Sequence, residues 1–215
     1  MIGMRTARGF TLVEVLVAMA IMAIMSLMAW QGVDGIVRTR DSSQVRLEQT
    51  LRLETVIAQW EQDLAALQES PAVPALTCDG QSVRLTRRTE GGLQVVAWSL
   101  RADGAGSVWQ RWAGPAVTTT RSLQDTWLST QQFQGNETGQ LRALTGLEQW
   151  QVYFYQGNAW SNCQSTGNVE AAASAVAGGV GPQRQALPSG VRIVLSFAPG
   201  SGLVGSLVRD IRIAP

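Results

Sequence analysis

The feature that most constrains this chain is an uncharged, apolar stretch close to its start. Residues 9–30 read GFTLVEVLVAMAIMAIMSLMAW, and no residue between Val15 and Trp30 carries a charge. A helix rises about 1.5 Å per residue, so a stretch of this length is sufficient to cross a hydrocarbon core of roughly 30 Å. The stretch predicts a membrane-spanning helix. Arg5 and Arg8, just before it, predict that its first end faces the cytoplasm.

Glu14 is an acid inside this apolar stretch. Placing an ionisable side chain deep in lipid costs on the order of 3 kcal/mol, so we expect Glu14 to have a partner or a function. The alternative is that its carboxylate reaches back to the lipid headgroups and has no further role.

The segment RGFTLVEVLVA, from Arg8 to Ala18, resembles the prepilin-type (class III) signal of type IV pilin-like proteins. The resemblance implies that a prepilin peptidase cuts after Gly9 and methylates the new amino terminus at Phe10. It also implies that Glu14 is the acidic residue of the motif and acts in assembly. A secretory signal differs, because its small-residue cleavage site lies at the far end of the apolar core.

Cleavage after Gly9 would create a positive amine on Phe10, four residues before Glu14. In a bundle of packed helices, the carboxylate of one subunit would pair with the amine of its neighbour, since opposite charges attract strongly where the dielectric is low. Such a pair would set the axial register of each incoming subunit.

The helix is predicted to continue beyond the membrane, because the first proline is Pro71. We expect one helix from about residue 11 to residue 69, with Gly32 and Gly35 as its weakest points. Three- and four-residue spacings define an apolar stripe on its later half that would pack against a sheet. The stripe consists of Leu53, Val56, Ile57, Trp60, Leu64 and Leu67.

After Pro74 the pattern changes to the alternation typical of half-buried strands. The predicted strands are residues 82–89, 93–101, 107–113, 148–156, 190–197 and 207–213. Because the turns are short, these strands should be mostly antiparallel. We assign no element to the polar stretch 115–140 and expect a mobile loop at 162–185. The predicted fold is α+β and pilin-like, with a long N-terminal helix packed on antiparallel sheet.

Three further features resemble the minor pseudopilin J family of type II secretion systems. They are Trp-Glu-Gln-Asp-Leu at residues 60–64, a tryptophan- and arginine-bearing hairpin at 95–112, and Leu-Pro-Ser-Gly-Val-Arg-Ile at 187–193. The resemblance implies a subunit of the filament tip complex that primes pseudopilus assembly for export of folded proteins. Its implied partners are the other major and minor pseudopilins, or pilins, and an inner-membrane assembly platform. The alternative is a minor pilin of a type IV pilus, with a membrane-anchored periplasmic binding domain as a remote third.

The resemblance divides the chain into a leader peptide at 1–9, a transmembrane part of the helix at 10–30, a periplasmic part of the helix at 31–70 and a β-rich periplasmic domain at 71–215. The protein would be a single-pass protein of the bacterial inner membrane, with its N-terminus cytoplasmic and its C-terminal domain periplasmic. It would then be assembled into a periplasmic filament.

Composition argues against several functions. With 17 basic and 16 acidic side chains, nothing favours nucleic-acid binding. The chain has no histidine and no lysine, which removes the usual serine and cysteine triads, lysine-assisted serine hydrolysis and the commonest metal ligand. The acids Asp103 and Asp125 are isolated in the sequence, so no glycosidase pair is evident. We expect no catalytic residues, no cofactor and no metal site.

Three groups of side chains remain open. Cys78 and Cys163 would both be exported, and they form either a disulfide or two buried thiols. Arg84, Arg87 and Arg88 are interpreted as one basic, solvated strand face, with a docking site for an acidic partner subunit as the alternative. Five of the eight tryptophans are interpreted as core and subunit-contact residues, with a ligand-binding surface as the alternative. They are Trp98, Trp109, Trp112, Trp150 and Trp160.

Overall fold

The computed structural model describes residues 9–104, 106–135, 137–164 and 187–213. The chain divides into two compact units, Met1–Glu48 and Gln49–Pro215. The first helix, α1 (Leu12–Ala65), begins in the first unit and ends in the second. Gly32 and Gly35, its predicted weakest points, are both helical. By length and composition it is able to cross a membrane, and the described part of the protein does not bury its apolar segment.

The helix ends four residues earlier than the sequence predicts. After Ala65 the chain pairs with a strand instead of continuing the helix. The Gln68 amide donates to the carbonyl of Thr86 (2.9 Å), and the Arg88 amide donates to the carbonyl of Ala66 (2.8 Å). These tertiary hydrogen bonds satisfy the backbone beyond the helix, so Pro71 is not the residue that stops it.

The second unit contains nine strands and one further helix within the described residues. In chain order they are β1 (Leu76–Cys78), β2 (Ser82–Thr89), β3 (Gly92–Asp103), β4 (Gly106–Ala113), α2 (Thr120–Thr130), β5 (Gln140–Thr145), β6 (Leu147–Gln156), β7 (Ala159–Asn162), β8 (Gly190–Phe197) and β9 (Ser206–Arg212). One sheet has the order β1-β2-β3-β4-β5, the other has the order β7-β6-β8-β9, and all pairs are antiparallel. The predicted α+β, pilin-like class is confirmed.

All six predicted strands are present, with bounds that differ by at most two residues. The sequence reading missed β1, β7, α2 and β5, and the last two lie within or at the end of the polar stretch 115–140. In α2 the side chain of Thr119 accepts a hydrogen bond from the Ser122 amide, and Leu123 and Trp127 are buried. Two apolar contacts on a mostly polar helix are a weak periodic signal. Most of the loop expected at 162–185 lies outside the described residues.

The main core of the second unit combines the end of α1 with both sheets. Its centre is a cluster of four buried tryptophans in which five ring pairs have centroids 4.5 to 6.3 Å apart. They are Trp60, Trp98, Trp109 and Trp150. Edge-on and tilted contacts at these distances suit the charge distribution of aromatic rings. Of the five tryptophans that were interpreted as core or contact residues, Trp98, Trp109 and Trp150 lie in this core, and Trp112 packs, partly buried, against a second buried cluster.

Candidate functional site

The N-terminal motif lies at the first turn of α1. The Glu14 amide donates to the hydroxyl of Thr11 (3.3 Å), and the Glu14 carboxylate accepts from the Thr11 amide and hydroxyl (3.4 Å each). This reciprocal arrangement is a capping box, in which the threonine and the glutamate satisfy backbone donors that the helix leaves unpaired. Within a single chain, therefore, Glu14 already has a partner.

This cap was not predicted, although the pattern Thr-x-x-Glu at residues 11–14 is its usual signature. The capping hydrogen bonds are long, so they hold the carboxylate weakly. Before the cap, Gly9 has no heavy atom of the described residues within 4 Å of the position that a Cβ would take, and Phe10 is 84% exposed. Among the described residues, Gly9 and Phe10 are therefore both exposed.

The predicted apolar stripe of α1 faces the core of the second unit. Val56, Ile57, Trp60 and Leu64 are buried, and Leu53 and Leu67 are partly buried against them. Leu67 lies beyond the end of α1, where its backbone forms an isolated antiparallel β-bridge with Arg87. The structure therefore brings these six side chains together, five from the helix and one from the segment that follows it.

One charged residue, Asp63, lies inside this apolar contact and is completely buried. Its carboxylate accepts two hydrogen bonds from Arg111 (2.8 and 2.9 Å), one from Arg87 (2.8 Å), one from the indole of Trp98 (2.8 Å) and one from Gln59 (3.1 Å). The three partners on the sheet come from β2, β3 and β4. A buried carboxylate is tolerated only with such compensation.

Asp63 was singled out only as part of the segment Trp-Glu-Gln-Asp-Leu, and its role was missed. The available signal was an acid within an apolar stripe, followed by strands rich in arginine. Because a carboxylate with five donors has one favourable position, the cluster fixes both the rotation and the axial position of the late part of α1 on its sheet.

The interpretation of Arg84, Arg87 and Arg88 as one solvated face is wrong. Successive side chains of a strand point to opposite faces, and Arg87 turns inward to Asp63 while Arg84 pairs with Asp79. Partial burial would raise the pKa of the Asp79 carboxyl. Hydrogen bonds from Ser82 and the charge of Arg84 outweigh that effect and hold the pKa below its ordinary value.

Cys78 and Cys163 form a disulfide, with their Cα atoms 5.7 Å apart. Cys78 ends β1, the edge strand of one sheet, and Cys163 directly follows β7, the edge strand of the other. The bridge therefore joins the two sheets at their edges.

The two remaining tryptophans of interest lie near the surface. Trp112 contacts Phe133 edge-on at 4.7 Å, and Trp160 lies under the guanidinium of Arg192 at 4.3 Å. Both rings are partly covered by residues of the chain itself. Within the described residues, no group of three His, Cys, Asp or Glu side chains is arranged to hold a metal ion.

Comparison with known proteins finds two sequence similarities. The family described as the prokaryotic N-terminal methylation motif matches residues 4–30, which include the capped turn with Thr11 and Glu14. The chain carries a prepilin-type N-terminal motif. It is also similar to type II secretion system protein J of Vibrio cholerae serotype O1. The two are 29% identical over 176 residues, which cover 71% of this chain and 72% of the relative.

Proposed function

We propose that this pilin-like chain is a minor pseudopilin of a type II secretion system. It would belong to the filament tip complex that primes pseudopilus assembly for export of folded proteins. The observation that carries the proposal is the union of a methylation motif at residues 4–30 with similarity to a type II secretion protein along 71% of the chain. The motif alone supports only the wider group of pilin-like proteins.

Processing would occur at the exposed junction of Gly9 and Phe10. A prepilin peptidase would cut there, and the new amine of Phe10 would be methylated. Residues 1–9 would be the leader, residues 10–30 the membrane-spanning part of the helix, and residues 31–70 its periplasmic part. Residues 71–215 would fold in the periplasm, which is consistent with the disulfide between Cys78 and Cys163.

Glu14 would act in assembly by exchanging partners. In the single chain its carboxylate accepts from Thr11 over long distances of 3.4 Å. In a filament it would accept from the Phe10 amine of a neighbouring subunit, and a charged donor in a low dielectric is the stronger partner. The weak cap would thus shield the acid until a neighbour arrives.

The work of the protein would be mechanical rather than catalytic. The buried cluster around Asp63 supports this role, because it connects the end of the filament-forming helix to three strands of the folded domain. The partners would be the other pseudopilins and an inner-membrane assembly platform.

The test compares Glu14→Ala with Glu54→Ala, a change at an exposed helical acid outside the apolar stretch. We expect mass spectrometry to find both proteins starting at methylated Phe10. We expect only Glu14→Ala to lose filament incorporation and secretion. Normal secretion by Glu14→Ala would contradict the pairing mechanism. An exported protein that still begins at Met1 would contradict the proposed pilin-like role.

A minor pilin of a type IV pilus is the second candidate, because it would share the motif at residues 4–30. Deletion of the gene distinguishes the secretion role from the pilus role. Loss of exoprotein export with normal surface pili supports the secretion role, and loss of pili with normal export supports the pilus role.

A further inference from the structure

Strand β9 has an open edge. Within the described residues it pairs only with β8. The Phe197 amide donates to the carbonyl of Gly205, and the Ile213 amide donates to the carbonyl of Ser189, each at 3.1 Å. Because hydrogen-bonded pairs alternate along an antiparallel ladder, the odd-numbered residues of β9 bond to β8. The residues whose backbone groups face the open edge are therefore Ser206, Val208, Asp210 and Arg212.

The other sheet edges in the described part of the chain are short or covered. β1 has three residues and β7 has four. The edge strand β5 is covered in part by Arg52, whose guanidinium donates to the carbonyls of Arg142 (2.9 Å) and Ala143 (3.0 Å). β9 has seven residues and no proline, and its Val208 is 52% exposed. Folded proteins usually shield such an edge, because it is a template for another strand.

A groove of about 680 Å³ runs along this edge, between β9 and the last turns of α1. It is lined by Glu61 and Ala65 of α1 and by five consecutive residues of β9, from Val208 to Arg212. The face of a strand would contribute only alternate residues, so a lining of consecutive residues places the groove beside the edge of the strand. The space therefore adjoins the free backbone groups.

The charged side chains along the groove indicate which charge a bound segment would carry. Arg209 pairs with Glu61 (2.8 Å), and Asp210 pairs with Arg192 (2.6 Å). Arg212 is exposed and has no ion-pair partner among the described residues. A carboxylate on the bound segment would complement it.

We propose that the edge of β9 binds an extended strand of another protein chain, which continues the sheet and places a carboxylate at Arg212. Backbone hydrogen bonds to Val208 and Asp210 would supply affinity, and the Arg212 pair would supply selectivity. The inference concerns the folded domain and does not depend on the proposed filament function.

The test uses the full chain in the membrane of its source organism, with a photo-crosslinking benzoylphenylalanine in place of Ser206. Val208→Pro removes one amide that faces the open edge without removing a hydrogen bond to β8, and proline is tolerated at such edge positions. Val208→Ala is the matched control, because it retains the amide. We expect Val208→Pro and Arg212→Gln each to lower the yield of one cross-linked product roughly tenfold, and Val208→Ala to preserve it.

Tandem mass spectrometry of the product identifies the occupant. A segment of another chain that carries Asp or Glu supports the proposal. A product formed with residues 165–186 or 214–215 of this chain, or with a second copy, overturns the assigned occupant. Absence of a product, or a product insensitive to Val208→Pro, overturns the site.

Amide hydrogen exchange of the unsubstituted chain gives an independent test that requires no variant to fold. The amides of Leu207, Arg209 and Ile211 should be protected both in the isolated chain and in the membrane assembly. Those of Val208 and Asp210 should gain protection only in the assembly. Equal exchange of Val208 and Asp210 in both samples would overturn strand addition.

Discussion

Asp63 and Arg111 are joined by two hydrogen bonds, from Nε to Oδ2 at 2.8 Å and from Nη2 to Oδ1 at 2.9 Å. The first residue lies near the end of α1 and the second lies in β4, 48 positions later. This two-point contact has a fixed geometry, unlike the apolar contacts around it. It therefore determines the position at which the end of α1 packs on the sheet.

Asp63→Asn should destabilise the second unit by about 3–5 kcal/mol, because it leaves Arg87 and Arg111 without a buried counter-charge. Denaturant unfolding of the full chain in detergent would measure the loss. Asp103→Asn is the control. Because Asp103 pairs with Arg142 on the surface, this substitution should lower the free energy of unfolding by less than about 1 kcal/mol. Equal effects of the two substitutions would contradict a special role for Asp63.

Replacing both cysteines by serine should lower stability by about 2–5 kcal/mol, because the bridge closes a long loop and so restricts the unfolded chain. The bridged residues are 85 positions apart. The check is thermal unfolding with and without a reductant. The reductant should lower the melting temperature of the original chain and leave that of the double variant unchanged. A reductant effect of the same size on both proteins would exclude the bridge as its cause.

Asp79→Asn should destabilise the protein at neutral pH, and the difference from the original chain should shrink in acid. Hydrogen bonds from Ser82 and the charge of Arg84 lower the pKa of Asp79 below its ordinary value in the folded protein. Its stabilisation is therefore fully present above the unfolded pKa and is lost as pH falls through the folded pKa. Unfolding curves between about pH 6 and pH 2 would test this. A difference that stays constant over that interval would show that the carboxylate charge is not the stabilising factor.

Gly92→Ala should destabilise the β2–β3 hairpin by about 1–3 kcal/mol. Gly92 has a φ of +124°, and a Cβ there would lie 2.4 Å from the carbonyl oxygen of Val117. Gly106→Ala is the matched control, because no heavy atom of the described residues lies within 4 Å of the position that its Cβ would take, and its φ lies outside the left-handed region. Comparable unfolding midpoints for the two variants would contradict the steric argument.

Local patterns explain which elements were predicted. The strands β2 and β8 have the predicted bounds, because alternating side chains and flanking turns act within a few residues. The helix α2 was missed because only Leu123, Trp127 and Thr130 of it are buried. The end of α1 was misplaced because its position depends on hydrogen bonds to β2, which the local sequence does not reveal.

The sequence by itself determined the apolar N-terminal stretch, the methylation motif with Gly9, Phe10 and Glu14, and the stripe that α1 presents to the core. These features depend on residues that are near neighbours along the chain. Only the tertiary structure decided that Asp63 meets Arg87 and Arg111, that Cys78 meets Cys163, and that the edge of β9 is open among the described residues. Each of these facts depends on strand order and register, which join residues far apart in the sequence.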